Sequence, residues 1–114
     1  MDNIIGKSLF PITCVYVNRS APGETEDSID FKIDSLELYC ESEYEDLQWY
    51  IDDHHSIENF MKMMKDCDNG VSYNTVILHD FNQLDPQCMK ALKKAAWAGR
   101  VSVATVLLPI PMED

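Results

Sequence analysis

Basic residues are scarce in this chain. Nine Lys and Arg stand against twenty Asp and Glu in 114 residues, for a formal net charge of −11. The imbalance is local: residues 1–60 carry fourteen acids and three bases, whereas residues 61–114 carry six of each. Contact with nucleic acid or an anionic membrane rests on Lys and Arg neutralising phosphate, so neither is expected as a direct partner. Glycine is also scarce. The four glycines form no G-x-G pair, which removes a phosphate-cradling loop from consideration. No apolar run approaches the ~18 residues of a membrane span. Met1-Asp2-Asn3-Ile4-Ile5 places an acid where a secretory leader has bases, and Gly6, Lys7 and Pro11 interrupt the apolar stretch. Cys14, Cys40, Cys67 and Cys88 are spaced by 26, 27 and 21 residues, with no Cys-x-x-Cys pair. The expectation is packed, reduced thiols in a cytoplasmic protein, without metal or cofactor.

What is present suffices for one core. At 46% hydrophobic residues the chain is long enough to bury about two-thirds of its unfolded surface as a single domain spanning 1–114, with its core in 11–110. Ile12 to Val17 is a nearly continuous apolar run, the pattern of a strand buried on both faces. Pro22-Gly23 marks a turn. Asp27 or Ser28 is a candidate cap for a helix with Ile29, Ile33, Leu36 and Cys40 inward and Phe31 and Leu38 widening that stripe. Its other face carries Asp30, Asp34, Glu37, Glu41 and Glu43. Leu47 to Ile51 reads as a second strand. Ser56 is the candidate cap of a helix with Ile57, Phe60, Met61, Met64 and Cys67 inward, closing at Asn69-Gly70. Thr75 to His79 reads as a third strand. Asp85-Pro86 starts a helix through Met89, Leu92, Ala96 and Trp97 that stops at Gly99. Val101 to Leu107 is the fourth strand. Strands alternating with helices predict an α/β fold of three layers: a mostly parallel four-stranded sheet with helices on both faces.

Four blocks in this order resemble the N-terminal catalytic domain of the serine recombinases, the resolvase–invertase family. The first is Tyr16-Val17-Asn18-Arg19-Ser20, against the family's strand ending Tyr-x-Arg-x-Ser. The second is the helix Ser28 to Cys40, closing on Leu36-Glu37-Leu38-Tyr39-Cys40. Tyr50-Ile51-Asp52-Asp53, followed by Asn59-Phe60, resembles the acidic loop and second helix. Leu78-His79-Asp80-Phe81-Asn82-Gln83-Leu84-Asp85-Pro86 resembles the segment that runs from the third strand into Asp-Arg-Leu-x-Arg. The resemblance spans about residues 12–110. It implies a resolvase-like fold, with Ser20 at the position of the nucleophile that attacks a DNA phosphate.

The cations that this chemistry needs are missing from the matching positions. Asn18 stands where the family has an arginine, and Ile57 where it has another at the start of the second helix. Asn82, Gln83 and Pro86 replace the acid and both arginines of the Asp-Arg-Leu-x-Arg block, and Lys32 replaces the first helix's glutamine. One transition-state donor is typically worth ~10²–10³ in rate, and phosphoryl transfer depends on several. Only a short proline-punctuated stretch follows the fourth strand, so neither the family's long dimerisation helix nor its DNA-binding domain is expected. The resemblance therefore implies a pseudoenzyme with no working catalytic residues. Serine-dependent DNA phosphoryl transfer by Ser20 is the alternative.

Two clusters carry ligand-type side chains. Asp52-Asp53-His54-His55 has metal-ligand chemistry, but consecutive side chains diverge, and a solvated loop is expected. His79-Asp80, with Asn18, Ser20 and Asn82, is placed to line a polar crevice at the strand ends. Residues Glu24 to Glu58 hold thirteen acids and one lysine, and clustered acids associate fast and salt-dependently with basic surfaces. The expected function is thus a regulator or inhibitor, suited to a phage or mobile element. It would dock on a serine recombinase or a relative through the surfaces such domains use to pair, or present Glu24, Glu26, Asp27, Asp30, Asp34, Glu37 and Glu41 to a basic surface of a nucleic-acid-binding protein, as a DNA mimic does. Homodimerisation, the family's own habit, stays open.

Overall fold

The computed structural model of the chain describes residues 11–41, 43–44, 46–68 and 74–107. Four strands, β1 (Thr13–Asn18), β2 (Leu47–Asp52), β3 (Asn74–Leu78) and β4 (Val101–Thr105), alternate with three helices, α1 (Glu26–Glu41), α2 (Glu58–Cys67) and α3 (Pro86–Trp97). A single 3₁₀ turn, Phe81–Gln83, follows β3. The strands form one sheet in the order β2-β1-β3-β4, parallel throughout. The expected α/β class, layering and strand direction are all present. The expected closure at Asn69-Gly70 and the segment after Leu107 lie outside the described residues.

Strand pleating divides the core into two. Cys14, Tyr16, Val76 and Leu78 point to one face, where Phe60, Met63 and Cys67 of α2 and Cys88, Leu92 and Ala95 of α3 cover them. Val15, Val17 and Ile77 point to the other, under Ile29, Leu36 and Cys40 of α1. Two helices thus cover one face and one helix covers the other. β1 and β3 are buried on both sides, which explains their unbroken apolar sequences.

Several local expectations are corrected. Thr25, and not Asp27 or Ser28, caps α1. Its Oγ1 accepts from Ser28 N (3.1 Å), and Ser28 Oγ accepts from Thr25 N (2.7 Å), a reciprocal capping box. Phe31 and Leu38 do not widen the inward stripe. They are 65% and 71% exposed because they lie one helix face away from Ile29 and Leu36. On α2 it is Met63 that is buried, three residues after Phe60, while Met61 faces outward. Trp97, at the end of α3, is 89% exposed instead of packed.

Ser56 gives α2 only one contact, from Glu58 N to its Oγ (3.1 Å). The main cap comes from β2. Asp52 accepts from Asn59 N (2.8 Å) and Phe60 N (2.9 Å), closing two of the orphan N–H groups at the helix start.

Candidate functional site

The chain reverses its lateral direction between β1 and β3: α1 leads outward to β2, and α2 returns across β1 to β3. Parallel α/β sheets open a crevice at the carboxyl ends of the strands at such a point. A cleft of about 530 Å³ lies there. Asn18 and Ser20 enter it from the end of β1, Ser56 and Ile57 from the start of α2, and Asn82 and Pro86 from the segment between β3 and α3. Four of the positions compared with the recombinase pattern therefore share one cleft with Ser20, namely Asn18, Ile57, Asn82 and Pro86, while Gln83 is buried against Asn18. His79 and Asp80, expected in the same crevice, belong to a neighbouring cluster described below.

The Ser20 hydroxyl is committed. It donates to Asp53 Oδ1 (3.1 Å), and Oγ accepts from His55 N (3.1 Å). Asp53 is not a strong base: hydrogen bonds from His54 N and the Ser20 hydroxyl, with the charges of His54 and Arg19 nearby, hold its carboxyl below the ordinary range. The only arginine beside Ser20 in sequence, Arg19, points to Asp53, with Nε 3.7 Å from Oδ2. No imidazole nitrogen is bonded to the serine among the described residues.

Asn18 and Gln83 are structural. The Asn18 Oδ1 accepts from Ser20 N (2.9 Å), an Asx turn that shapes the exit from β1. Gln83 is 1% exposed and uses both ends of its amide: Oε1 accepts from Asn18 N, and Nε2 donates to Glu24 Oε2 (2.8 Å). A position where the resemblance implies a cation is thus a neutral bracket between β1 and the loop before α1.

Behind that bracket lies a charged cluster that sequence reasoning did not find. Lys32 Nζ donates to Glu24 Oε2 and to Asp80 Oδ2, the latter at 3.0 Å, and Asp80 Oδ2 also meets His79 Nδ1 at 2.7 Å. Burial pushes the Glu24 carboxyl up, but hydrogen bonds from Lys32, Ser28 and Gln83 outweigh it and leave it below its ordinary value. Asp80 is likewise lowered, by His79 and Lys32 against burial. Burial lowers the Lys32 ammonium, but its two carboxylates raise it above its ordinary value. The spacing of Glu24, Ser28 and Lys32, four residues apart, was the available signal.

The seven acids expected to bind a partner therefore separate. Glu24, with a side chain 5% exposed, faces inward and is not part of the outer surface. Glu26, Asp27, Asp30, Asp34, Glu37 and Glu41 are all exposed on α1, and none is in an ion pair among the described residues. Lys32 is the sole base of that helix and is drawn into the cluster.

The Asp52-Asp53-His54-His55 run diverges as expected, but Asp52 is not part of a solvated loop: it ends β2 and is buried. Asp52 turns inward, Asp53 turns to Ser20, and His54 points to solvent. His54 and His55 have φ of 55° and 61°, and Ser56 N donates to Asp53 O (3.0 Å), the geometry of a type I′ turn. Among the described residues no three His, Cys, Asp or Glu side chains gather as a metal site, and no helix is long and apolar enough to cross a membrane.

Comparisons with family models, with curated proteins and with solved structures return no match.

Proposed function

We propose that this chain is a non-catalytic interaction protein of recombinase-like design. It regulates or inhibits a recombinase, or another nucleic-acid-binding protein, by presenting the acidic face of α1 to a basic surface. The observation that carries the reading is the inward turn of Lys32. With its one cation bound between Glu24 and Asp80, α1 offers solvent six carboxylates and no compensating base. Such a face raises association rates with cationic surfaces, and salt confines its reach to a Debye length of ~10 Å at 0.1 M. A cytoplasmic, reducing setting fits the four free, buried cysteines.

Serine-dependent phosphoryl transfer is the second reading, because Ser20 borders the cleft at the strand ends. Against it stand the Ser20 proton held by Asp53, the Arg19 side chain paired with the same carboxylate, and the neutral Gln83. A dianionic phosphoryl transition state would meet carboxylates where it needs cations.

Two assays test the reading together. Binding to a purified serine recombinase should be tight at low salt, weak at high salt, and lost on charge reversal at Asp34, Glu37 and Glu41. Binding indifferent to both would sink the acidic-face account. Incubation with supercoiled plasmid should give neither nicking nor a covalent adduct, whereas an adduct abolished by Ser20→Ala would restore the enzymatic reading.

A further inference from the structure

The helical layer on the α1 face is incomplete among the described residues. On the opposite face α2 and α3 lie side by side over the sheet. On this face α1 is the one helix among the described residues; its core partners are on β1 and β3, and the same face of β2, formed by Leu47, Trp49 and Ile51, is only partly covered. Between α1 and β2 runs a groove of about 650 Å³. Its floor is apolar: Cys40 from the helix, Leu47 and Trp49 from the strand, and Tyr44 from the connection between them, with the exposed Leu38 at its outer edge. Its helix-side rim is Asp34, Glu37 and Glu41.

We infer that this groove is a docking site for an amphipathic helix of a partner protein, one that places leucine-like anchors on the floor and Lys or Arg against the rim. The inference rests on the proposed function above and names the partner's chemistry. Three observations bear on it. Helices in a layer pack 8–10 Å apart, and the uncovered face of β2 is where a neighbour of α1 would lie. The rim residues Asp34 to Glu41 cover two helical turns, roughly 10 Å, which matches anchors at i, i+3, i+4 and i+7 of an occupant. The rim is uniformly acidic, so charge complementarity selects a basic occupant and disfavours a second copy of this chain, which would bring its own α1 carboxylates to the same rim. Leu38, 71% exposed at the edge of the acidic face, gains a partner in this arrangement.

The probe is a fluorescent 14-residue peptide with leucines at helical spacing and lysines elsewhere, titrated into the full chain. It is compared with a scrambled peptide of identical composition that has no apolar stripe. The amphipathic peptide should bind at least about tenfold more tightly than the scrambled one, a difference near 1.4 kcal/mol. Leu38→Asp should remove that advantage. Because Leu38 is largely exposed, this variant should keep the wild-type circular dichroism spectrum and melting temperature. Asp34→Asn with Glu37→Gln and Glu41→Gln should weaken both peptides. If both peptides bind equally and Leu38→Asp changes neither, the groove inference fails while the acidic-face reading stands. If neither binds, both fail. A dimer by sedimentation that Leu38→Asp dissolves would overturn the inference in favour of a second copy.

Discussion

The Tyr16 hydroxyl on β1 donates to Oδ2 of Asp52 at the end of β2, at 2.7 Å. The same carboxylate accepts the N–H groups of Asn59 and Phe60 at the start of α2. One buried side chain therefore joins two neighbouring strands to the helix that covers them. Burial and the Asp52 carboxylate push the Tyr16 phenol above its ordinary value, as expected of a hydroxyl that only donates.

Asp52→Ala should destabilise the protein by about 3 kcal/mol, since it orphans a buried hydroxyl and two helix N–H groups. Tyr16→Phe removes one of the three contacts and should cost about 1 kcal/mol. Urea denaturation of both variants checks the order. A larger loss for Tyr16→Phe than for Asp52→Ala would contradict the capping role.

The Lys32 cluster sets the pH response. Glu24 and Asp80 titrate below their ordinary values in the fold, so their contribution is complete above the ordinary carboxylate range and drains as the pH falls through the lowered folded values. Lys32 is raised, so its contribution is complete below its ordinary value of 10.5 and is lost as the pH rises through the higher folded value. Lys32→Met should cost about 3 kcal/mol at neutral pH by leaving two carboxylates without their cation. It should also flatten the acid limb of a plot of melting temperature against pH. An unchanged acid limb in Lys32→Met would place the acid sensitivity elsewhere.

All four cysteines are free and buried. The Cys14 and Cys67 sulfurs lie 4.0 Å apart across β1 and α2. The Cys67 contact and burial push the Cys14 thiol up, and burial pushes Cys88 up to about 11. Native protein at neutral pH should therefore react with an aromatic disulfide reagent far more slowly than unfolded protein, which should release four equivalents. Rapid reaction of one thiol in the native state would show that its site opens locally.

The layering was legible because β1, β3 and α3 carry unmixed signals. Ile12 to Val17 is a β-branched apolar run of strand length, and Asp85-Pro86 is a cap followed by a first-turn proline. The side-chain directions on α1 were harder to read. Its apolar residues occupy more than one face, and the sequence does not say that Phe31 and Leu38 belong to the uncovered one. Asp52 looked like a loop acid, because the donors it satisfies come from a helix that begins six residues later. The cleft was foreseen in its position and in Asn18, Ser20 and Asn82. The bracket formed by Gln83 was not, because it joins residues 65 and 59 positions apart, and no local pattern reports such a contact.

In the proposed function the acidic α1 face occupies a surface that otherwise holds nucleic acid. Fluorescence anisotropy of labelled DNA bound to a serine recombinase, titrated with this chain, tests it most directly. DNA should be released as the chain is added, less so at high salt, and not at all when Asp34, Glu37 and Glu41 are reversed to lysine. DNA that stays bound at saturating chain, or is released equally well by the charge-reversed variant, would contradict it.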